Sequence, residues 1–298
     1  MKFIITGGAG FIGSHLVKFL VRKGHKIIII DDFSNGKMSN LKEVKKKISI
    51  IKSDILNLNK IKTIDNVDCL FHLAAKTSVL ESIKNPKKYF KVNYKGTKSV
   101  MDFIKRSRIK KIIFSASASC YGNTKKLPTN EKQKIEPTNP YAKSKNMAEN
   151  YIRKYSLKNK VNFISFRLFN IFGRNTNKTS PYSSVITNFL NQFKKKLPLL
   201  IYGDGNQTRD FLHVNDLCEC FYIGALKCEK DYIFNLGSGK RLSIVKLANL
   251  ISNKIIYKKG IKNEIRDSES DISKLKKIFK WKPKISIYKS INELKKTS

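Results

Sequence analysis

Short apolar runs separated by helix-period segments set the rhythm of the chain's first half. Residues 2–6, 26–30, 48–52, 68–73, 110–115 and 161–167 are brief, mostly apolar and bounded by Gly, Asn, Asp or Ser, as buried strands are. Between them, Phe11, Ile12, Leu16 and Val17 recur at helical spacing, as do Val92, Val100, Phe103 and Ile104, and then Met147, Ala148, Tyr151, Ile152 and Tyr155. Strand and helix in alternation predict an α/β fold with a doubly wound parallel sheet. The second half is shorter in its elements and less regular. Extended, glycine-punctuated stretches lie at 199–205 and up to Phe211, helices are predicted to begin within 181–186 and 213–216, and a strand end at 235–239 is expected to return to the first sheet. The expected division is therefore a first domain over 1–170 with a returning segment near 211–238, and a smaller C-terminal α/β substrate-binding domain over 171–298, interleaved in sequence.

The junction of the first strand and first helix carries the first chemistry. Gly7, Gly10 and Gly13 follow Thr6 at three-residue intervals, with Phe11 and Ile12 opening the helix. Glycines let the backbone turn and approach a pyrophosphate closely, and the helix start offers free N–H groups at its positive dipole end. The second strand ends in Asp31 and Asp32, about where a ribose-binding carboxylate is expected, ~20 residues on. An acid there favours an unphosphorylated 2′-hydroxyl, so the expected cofactor is NAD on a Rossmann-type sheet. The turn at Asn35 and Gly36, the strand end at Asp54 and Ile55, and Leu73, Ala74 and Ala75 after the fourth strand are the further cofactor candidates. His72 reads as a packed core residue. Asn93, with Gly96, interrupts a buried helical pattern; a hydrogen bond to an active-site strand would account for it, and Asn93 is counted with the cofactor candidates.

Hydroxyls cluster at the end of the fifth strand, in the run from Ser115 to Gly122, where a parallel sheet faces its ligand. Pro140 opens a helix on which Tyr141 and Lys145 lie four apart, on one face. A phenol is a poor base at neutral pH, and a fixed ammonium nearby is expected to favour the phenolate.

Bulk properties refine this picture little. The 298 residues suffice for one large core or two modest ones, and 41% hydrophobic content is ordinary for a globular chain. No apolar run approaches the ~18 residues of a membrane span, and the first strand passes directly into the glycine turn, so a cytoplasmic protein with no membrane partner is expected. Five cysteines without C-x-x-C spacing argue against a disulfide framework and against a metal site. The net charge of +39 comes from lysines scattered in short clusters, which suits a solvated surface or an anionic small substrate better than a specific nucleic-acid partner.

Six ordered marks then resemble one family. They are T-G-G-A-G-F-I-G at 6–13, H-L-A-A at 72–75, the serine strand ending in Tyr121 and Gly122, Y-A-K-S-K at 141–145, R-L-F-N-I-F-G at 167–173, and G-D-G-N-Q-T-R-D-F at 203–211. Together they resemble the extended short-chain dehydrogenase/reductase superfamily, and within it the NAD-dependent nucleotide-sugar epimerases of the UDP-glucose 4-epimerase type. The resemblance implies Tyr141 as catalytic base, Lys145 as its partner and nicotinamide-ribose ligand, and Ser117 as the hydroxyl bridging the sugar oxygen. It places Asn170 and Arg209 on the substrate diphosphate, adds Val185, Arg266 and Ser268 to the substrate set, and implies a homodimer through the 89–107 and 141–155 helices. The small Ser268 leaves room for an N-acetyl group at the sugar's C2. Ile261 stands where relatives carry a phosphate-binding arginine, with Lys259 and Lys262 beside it, each a point charge and not a bidentate fork.

Dehydratases of the superfamily carry an acidic pair in the serine segment, and decarboxylases a glutamate. This chain has Ala118, Ser119 and Cys120 there, so the resemblance implies C4 epimerisation of a UDP-hexose or UDP-N-acetylhexosamine through a 4-keto sugar. The dehydratase and decarboxylase reactions stay open as alternatives, as does, remotely, a non-catalytic NAD-binding protein gripping RNA. Which sugar, which nucleotide beyond a preference for UDP, and which pathway are not legible in these residues.

Overall fold

A computed structural model describes residues 1–124, 126–174, 184–227, 229–260 and 265–296. The first part of the chain runs β1 (Lys2–Thr6), α1 (Phe11–Arg22), β2 (Lys26–Asp31), β3 (Ile48–Lys52), β4 (Cys69–His72), α2 (Val79–Lys84), α3 (Pro86–Tyr89), α4 (Gly96–Arg106), β5 (Lys111–Ser117), α5 (Pro140–Asn159) and β6 (Asn162–Leu168). There follow β7 (Asn170–Phe172), α6 (Val185–Lys194), β8 (Leu199–Tyr202), β9 (Thr208–His213), α7 (Val214–Lys227), β10 (Tyr232–Leu236), β11 (Arg241–Ser243), α8 (Ile244–Asn249), β12 (Ile255–Lys258), α9 (Ser273–Phe279) and α10 (Ile287–Lys296).

The chain divides into two compact units. The first comprises Met1–Cys120, Pro137–Arg167 and Cys218–Phe234. Its seven-stranded sheet has the order β10-β6-β5-β4-β1-β2-β3. The pairs β1·β2, β1·β4, β2·β3 and β4·β5 are parallel, with Ile5 opposite both Ile29 and Phe71. Because the strands are buried on both faces, they read as continuous apolar runs. On one face Ile4, Leu70, Ile112 and Phe114 pack against Val100, Phe103 and Ile104 of α4 and Ala148 and Ile152 of α5. On the other, Phe71, Phe166 and Phe234 stack with Phe221 of α7 or with one another. The order reverses between β1 and β4, and in such sheets that switch point opens the ligand crevice.

The expected helix over 89–107 is broken. The residues Phe90–Lys95 form a π-helical turn between α3 and α4, and the extra residue per turn turns Asn93 inward, where it is buried. Pro140 occupies the first turn of α5, as expected, and the Asn139 side chain caps it by accepting the Ala142 N–H at 2.9 Å.

The second unit comprises Tyr121–Glu136, Leu168–Leu217 and Asn235–Ser298. A three-stranded sheet (β11-β9-β7) and a parallel pair (β12, β8) pack Phe172, Ile201 and Phe211 against Phe189, Leu247 and Ile291. The main boundary falls between Arg167 and Leu168, beside the expected 170, while residues 121–136 fall in the second unit because Thr129 bridges Ser270 and the Asn235 amide donates to the Thr129 carbonyl. The returning segment is Cys218–Phe234, narrower than 211–238. The expected helix start within 181–186 falls at Val185, capped by Ser184; residues 181–183 lie outside the described residues, as do Cys228, Ile261 and Lys262.

Candidate active site

The glycine turn is fixed by its own backbone. Gly7, at φ +72°, donates to the Ile30 carbonyl at 2.8 Å, and a Cβ there would strike the Ala74 backbone. A Cβ on Gly13 would fall on the Gly7 carbonyl oxygen. Asp31 anchors the same turn: Ala9 N–H and Phe33 N–H each donate to its carboxylate at 2.8 Å, and burial raises its pKa. No side chain caps α1 and no acid stands in its first turn, so the N–H groups of Phe11 and Ile12 remain at a bare helix N-terminus.

An open cleft of about 540 Å³ lies over these strand ends. Among the expected cofactor residues, Gly7, Gly10, Asp31, Asp32, Asn35, Gly36, Asp54, Ile55, Leu73, Ala74 and Ala75 line it. Phe11, Ile12 and Gly13 belong to the helix start beside it, Gly13 as packing inside the turn. Lys76 and Val92 also line the cleft and had no signal in the strand pattern, since Lys76 lies beyond the apolar run. The Lys76 ammonium donates to Ser34 Oγ at 2.9 Å, tying the chain after β4 to the chain after β2. A glycine cradle with no room for side chains, a bare helix start and paired carboxylates fit a dinucleotide with a free ribose diol. Asn93, next to the cleft residue Val92, is buried at the cleft edge. Its amide receives the Lys76 N–H at 2.8 Å, donates to the Lys76 carbonyl at 2.9 Å and to Ser144 Oγ at 3.0 Å, so it clamps the cleft edge to α5.

Ser117, Tyr141 and Lys145 all belong to the first unit, on the end of β5 and the first turns of α5. Ser117 is hydrogen-bonded to the Tyr141 phenol, which lowers the phenol's pKa, but burial outweighs it and the net shift is upward. Ser117 Oγ also lies 2.8 Å from Ser119 Oγ. Lys145 is 4% exposed, its ammonium 4.2 Å from the centre of the Phe114 ring, and burial brings its pKa down to about 7. The expectation that the ammonium acts on the phenol is corrected here: burial governs both groups, pushing the phenol up and the amine down, and the charge that acts on Lys145 is Glu149. Glu149 is itself held by Arg167, whose Nε and Nη2 both donate to Glu149 Oε2, at 3.1 and 2.9 Å, in a buried pair. Cys120 beside them is buried, which raises its thiol to about 12 and leaves it inert.

The expected substrate residues lie in the second unit. Asn170 opens β7 and donates to the Asp210 carbonyl at 3.2 Å. Arg209 on β9 donates to the carbonyls of Thr208 at 2.9 Å and Arg266 at 3.3 Å, which brings these residues together. The Arg266 guanidinium grips Asp204 through two 2.8 Å bonds, a half-exposed pair. Ser268 follows Asp267, which accepts the Thr208 hydroxyl at 2.6 Å, and Val185 stands at the first turn of α6. Among the described residues no His, Cys, Asp or Glu side chains group as metal ligands, and no helix is long and apolar enough to cross a membrane.

The family model for the NAD-dependent epimerase/dehydratase family matches residues 3–237. A UDP-glucose 4-epimerase of Halalkalibacterium halodurans is 33% identical over 259 residues, covering 82% of this chain and 77% of the relative. A UDP-N-acetyl-alpha-D-glucosaminuronate decarboxylase of Bacillus cytotoxicus is 32% identical over 311 residues, covering 98% and 96%. Among solved structures, a UDP-N-acetylglucosamine 4-epimerase from Methanobrevibacter ruminantium M1, in complex with UDP-N-acetylmuramic acid, superimposes with a TM-score of 0.93 at 33% identity, covering 99% of this chain and 97% of the other.

Proposed function

Since the chain belongs to the NAD-dependent epimerase/dehydratase family, we propose that it is a UDP-sugar 4-epimerase, inverting C4 of a UDP-hexose or UDP-N-acetylhexosamine. The observation that carries this reading is the neighbourhood of Ser117: its hydroxyl meets the Tyr141 phenol on one side and the neutral Ser119 hydroxyl on the other. Elimination or decarboxylation after oxidation asks for an acid or base beside the sugar, and Ala118, Ser119 and Cys120 offer none. The Halalkalibacterium relative is named a UDP-glucose 4-epimerase and the Methanobrevibacter structure a UDP-N-acetylglucosamine 4-epimerase, which supports the substrate class.

A bound NAD would supply a hydride acceptor and donor for C4, held by the glycine turn and Asp31. The chain's residues manage the proton. Tyr141 would act as the phenolate, its own proton having passed to the neutral fraction of the Lys145 amine; Oη then accepts the proton of the sugar 4-hydroxyl and returns it after the ketone has presented its other face. Ser117 Oγ donates to the oxygen that carries the developing charge, a term of the oxyanion-hole kind. Lys145, with its amine near about 7, is divided between charged and neutral forms at neutral pH and can exchange a proton without a large driving force. In the second unit, Asn170 and Arg209 are the diphosphate ligands of this reading, with Val185, Arg266 and Ser268 around the sugar.

Incubating the purified protein separately with UDP-glucose, UDP-N-acetylglucosamine and UDP-glucuronate, and resolving the products by chromatography, tests the proposal. A C4 epimer is expected from one or both hexoses. A 4-keto-6-deoxy sugar would replace it with the dehydratase reading, and a pentose with the decarboxylase reading. The same reading includes a homodimer through the π turn with α4, and α5, where Met147 is exposed and Tyr94, Tyr151 and Tyr155 form a ring cluster. Light scattering is expected to give twice the mass of 34.2 kDa.

A further inference from the structure

Beneath the cleft runs a chain of hydrogen bonds that no step above uses. The N–H groups of Leu73 and Ala74, both cleft residues, donate to Thr6 Oγ1 at 3.2 and 3.3 Å. Thr6 Oγ1 meets His72 Nδ1 at 2.8 Å, and His72 Nε2 meets Thr97 Oγ1 at 2.9 Å. Thr97 Oγ1 donates to the Asn93 carbonyl at 2.6 Å. From Asn93 the side-chain amide donates to Ser144 Oγ, and Ser144 Oγ donates to the backbone carbonyl of Tyr141 at 2.8 Å. Thr6, His72, Asn93, Thr97 and Ser144 are at most 2% exposed.

The direction of every bond is determined. A hydroxyl has one proton, and Thr97 has given its own to the Asn93 carbonyl, so it can only accept from His72; Nε2 therefore carries the imidazole proton. Nδ1 is then the acceptor, and Thr6 donates to it while receiving the two backbone N–H groups. His72 is thus a neutral imidazole in one tautomer, consistent with burial lowering its pKa to about 3. A wholly apolar arrangement of the same shape would hold these helices as well, while a buried polar chain is favourable only when every member is satisfied. Here every link is satisfied, and the chain begins at the cleft and ends on the helix turn that bears Tyr141.

We propose that Thr6, His72, Thr97, Asn93 and Ser144 form a strut that fixes the position of Tyr141 relative to the cofactor cleft, acting as positioning residues. The proposal rests on the reading of Tyr141 as the base. His72, which the sequence reads as a packed core residue, acquires by it a role beyond packing. Its neutral tautomer keeps the strut in register, so that a contact of NAD with the cleft edge at 73–76 would be felt at the first turn of α5.

Thr97→Val removes one hydroxyl at constant shape, Thr97→Ser keeps it, and Ser144→Ala cuts the strut at its far end in a helix that tolerates alanine. With the full-length protein, kcat is expected to fall roughly ten- to a hundredfold in T97V and S144A, as for a reacting group displaced by a fraction of an ångström, with KM for the UDP-sugar unchanged and T97S restoring kcat. A second readout does not depend on turnover. In the wild type, adding NAD is expected to slow amide hydrogen exchange both at 73–76 and at 140–146; in T97V and S144A, only at 73–76. If T97V does not fold, S144A alone decides. Protection of 140–146 undiminished in S144A, or kcat lost equally in T97S and T97V, would overturn the strut. Failure of the wild type to epimerise any UDP-sugar would instead overturn the function, leaving the exchange result to judge the strut by itself.

Discussion

Replacing Tyr141 by phenylalanine removes one oxygen from a half-buried ring and nothing else, so it separates chemistry from structure. Turnover in Tyr141→Phe is expected to drop by roughly a hundred- to ten-thousandfold, the usual contribution of a positioned base, while titration with NAD shows unaltered binding. Lys145 gives the second prediction at this scale. Its amine is pulled from an ordinary value of 10.5 to about 7, so below pH 7 both folded and unfolded chains carry the proton and the full cost of burying the charge is present. Between about 7 and 10.5 the unfolded chain holds more protons than the folded one, so stability rises with pH and the cost is gone above that window. Lys145→Met is expected to be more stable than the wild type by an amount on the order of a few kcal/mol at pH 6.5, shrinking towards zero by pH 10.5, as denaturant unfolding across that range would read. Tyr141 and Lys145 were legible because helical spacing alone puts them on one face. The sense of their mutual influence was not, because burial is a property of the surrounding fold and outweighs the Coulomb attraction that spacing suggests.

Elements show the same split between what a pattern carries and what packing decides. β1 to β6 announce themselves through apolar runs, and Gly7 and Asp31 through their positions at strand ends. The π turn at Phe90–Lys95 leaves no periodic trace, because one added residue shifts the phase without changing the residue types, and so the partners of Asn93, Lys76 after β4 and Ser144 on α5, were not legible, although a buried hydrogen bond for it was. Lys76 was invisible for a similar reason, being placed by the loop after β4. In the second unit the equivalent hidden element is Asp210, fully buried on β9. It accepts from Ser238 N–H and Oγ at 2.6 Å, from Gly239 N–H and Ser270 N–H at 3.0 Å, and from Ser270 Oγ. A side chain at Gly237 would occupy the same space, which accounts for glycine in the N-L-G-S-G run. Asp210→Asn turns acceptors into donors and weakens charge-assisted bonds, so a loss of about 3 kcal/mol or more is expected in the unfolding of this unit. Circular dichroism in urea would measure it.

For the molecule as a whole, the +39 charge is the property with a direct kinetic consequence. A positive field draws a dianionic nucleotide-sugar towards the protein, and salt screens it over about 10 Å at 0.1 M. The KM for the UDP-sugar is therefore expected to rise several-fold as NaCl goes from about 0.05 to about 0.5 M, with kcat little changed, in initial-rate measurements. Binding to RNA, if tested by filter retention at the same salts, is expected to be sequence-indifferent and to vanish over that range.

The last strand of the nucleotide-binding sheet, β10, is supplied by residues 232–236, long after β6 has been made. On the ribosome the edge of β6 must wait, unpaired, for roughly seventy residues of synthesis, several seconds at ordinary elongation rates, with a bare row of backbone donors and acceptors exposed meanwhile. Translation speed across that interval, and chaperones that shield strand edges, therefore bear on how much of this enzyme reaches its folded state.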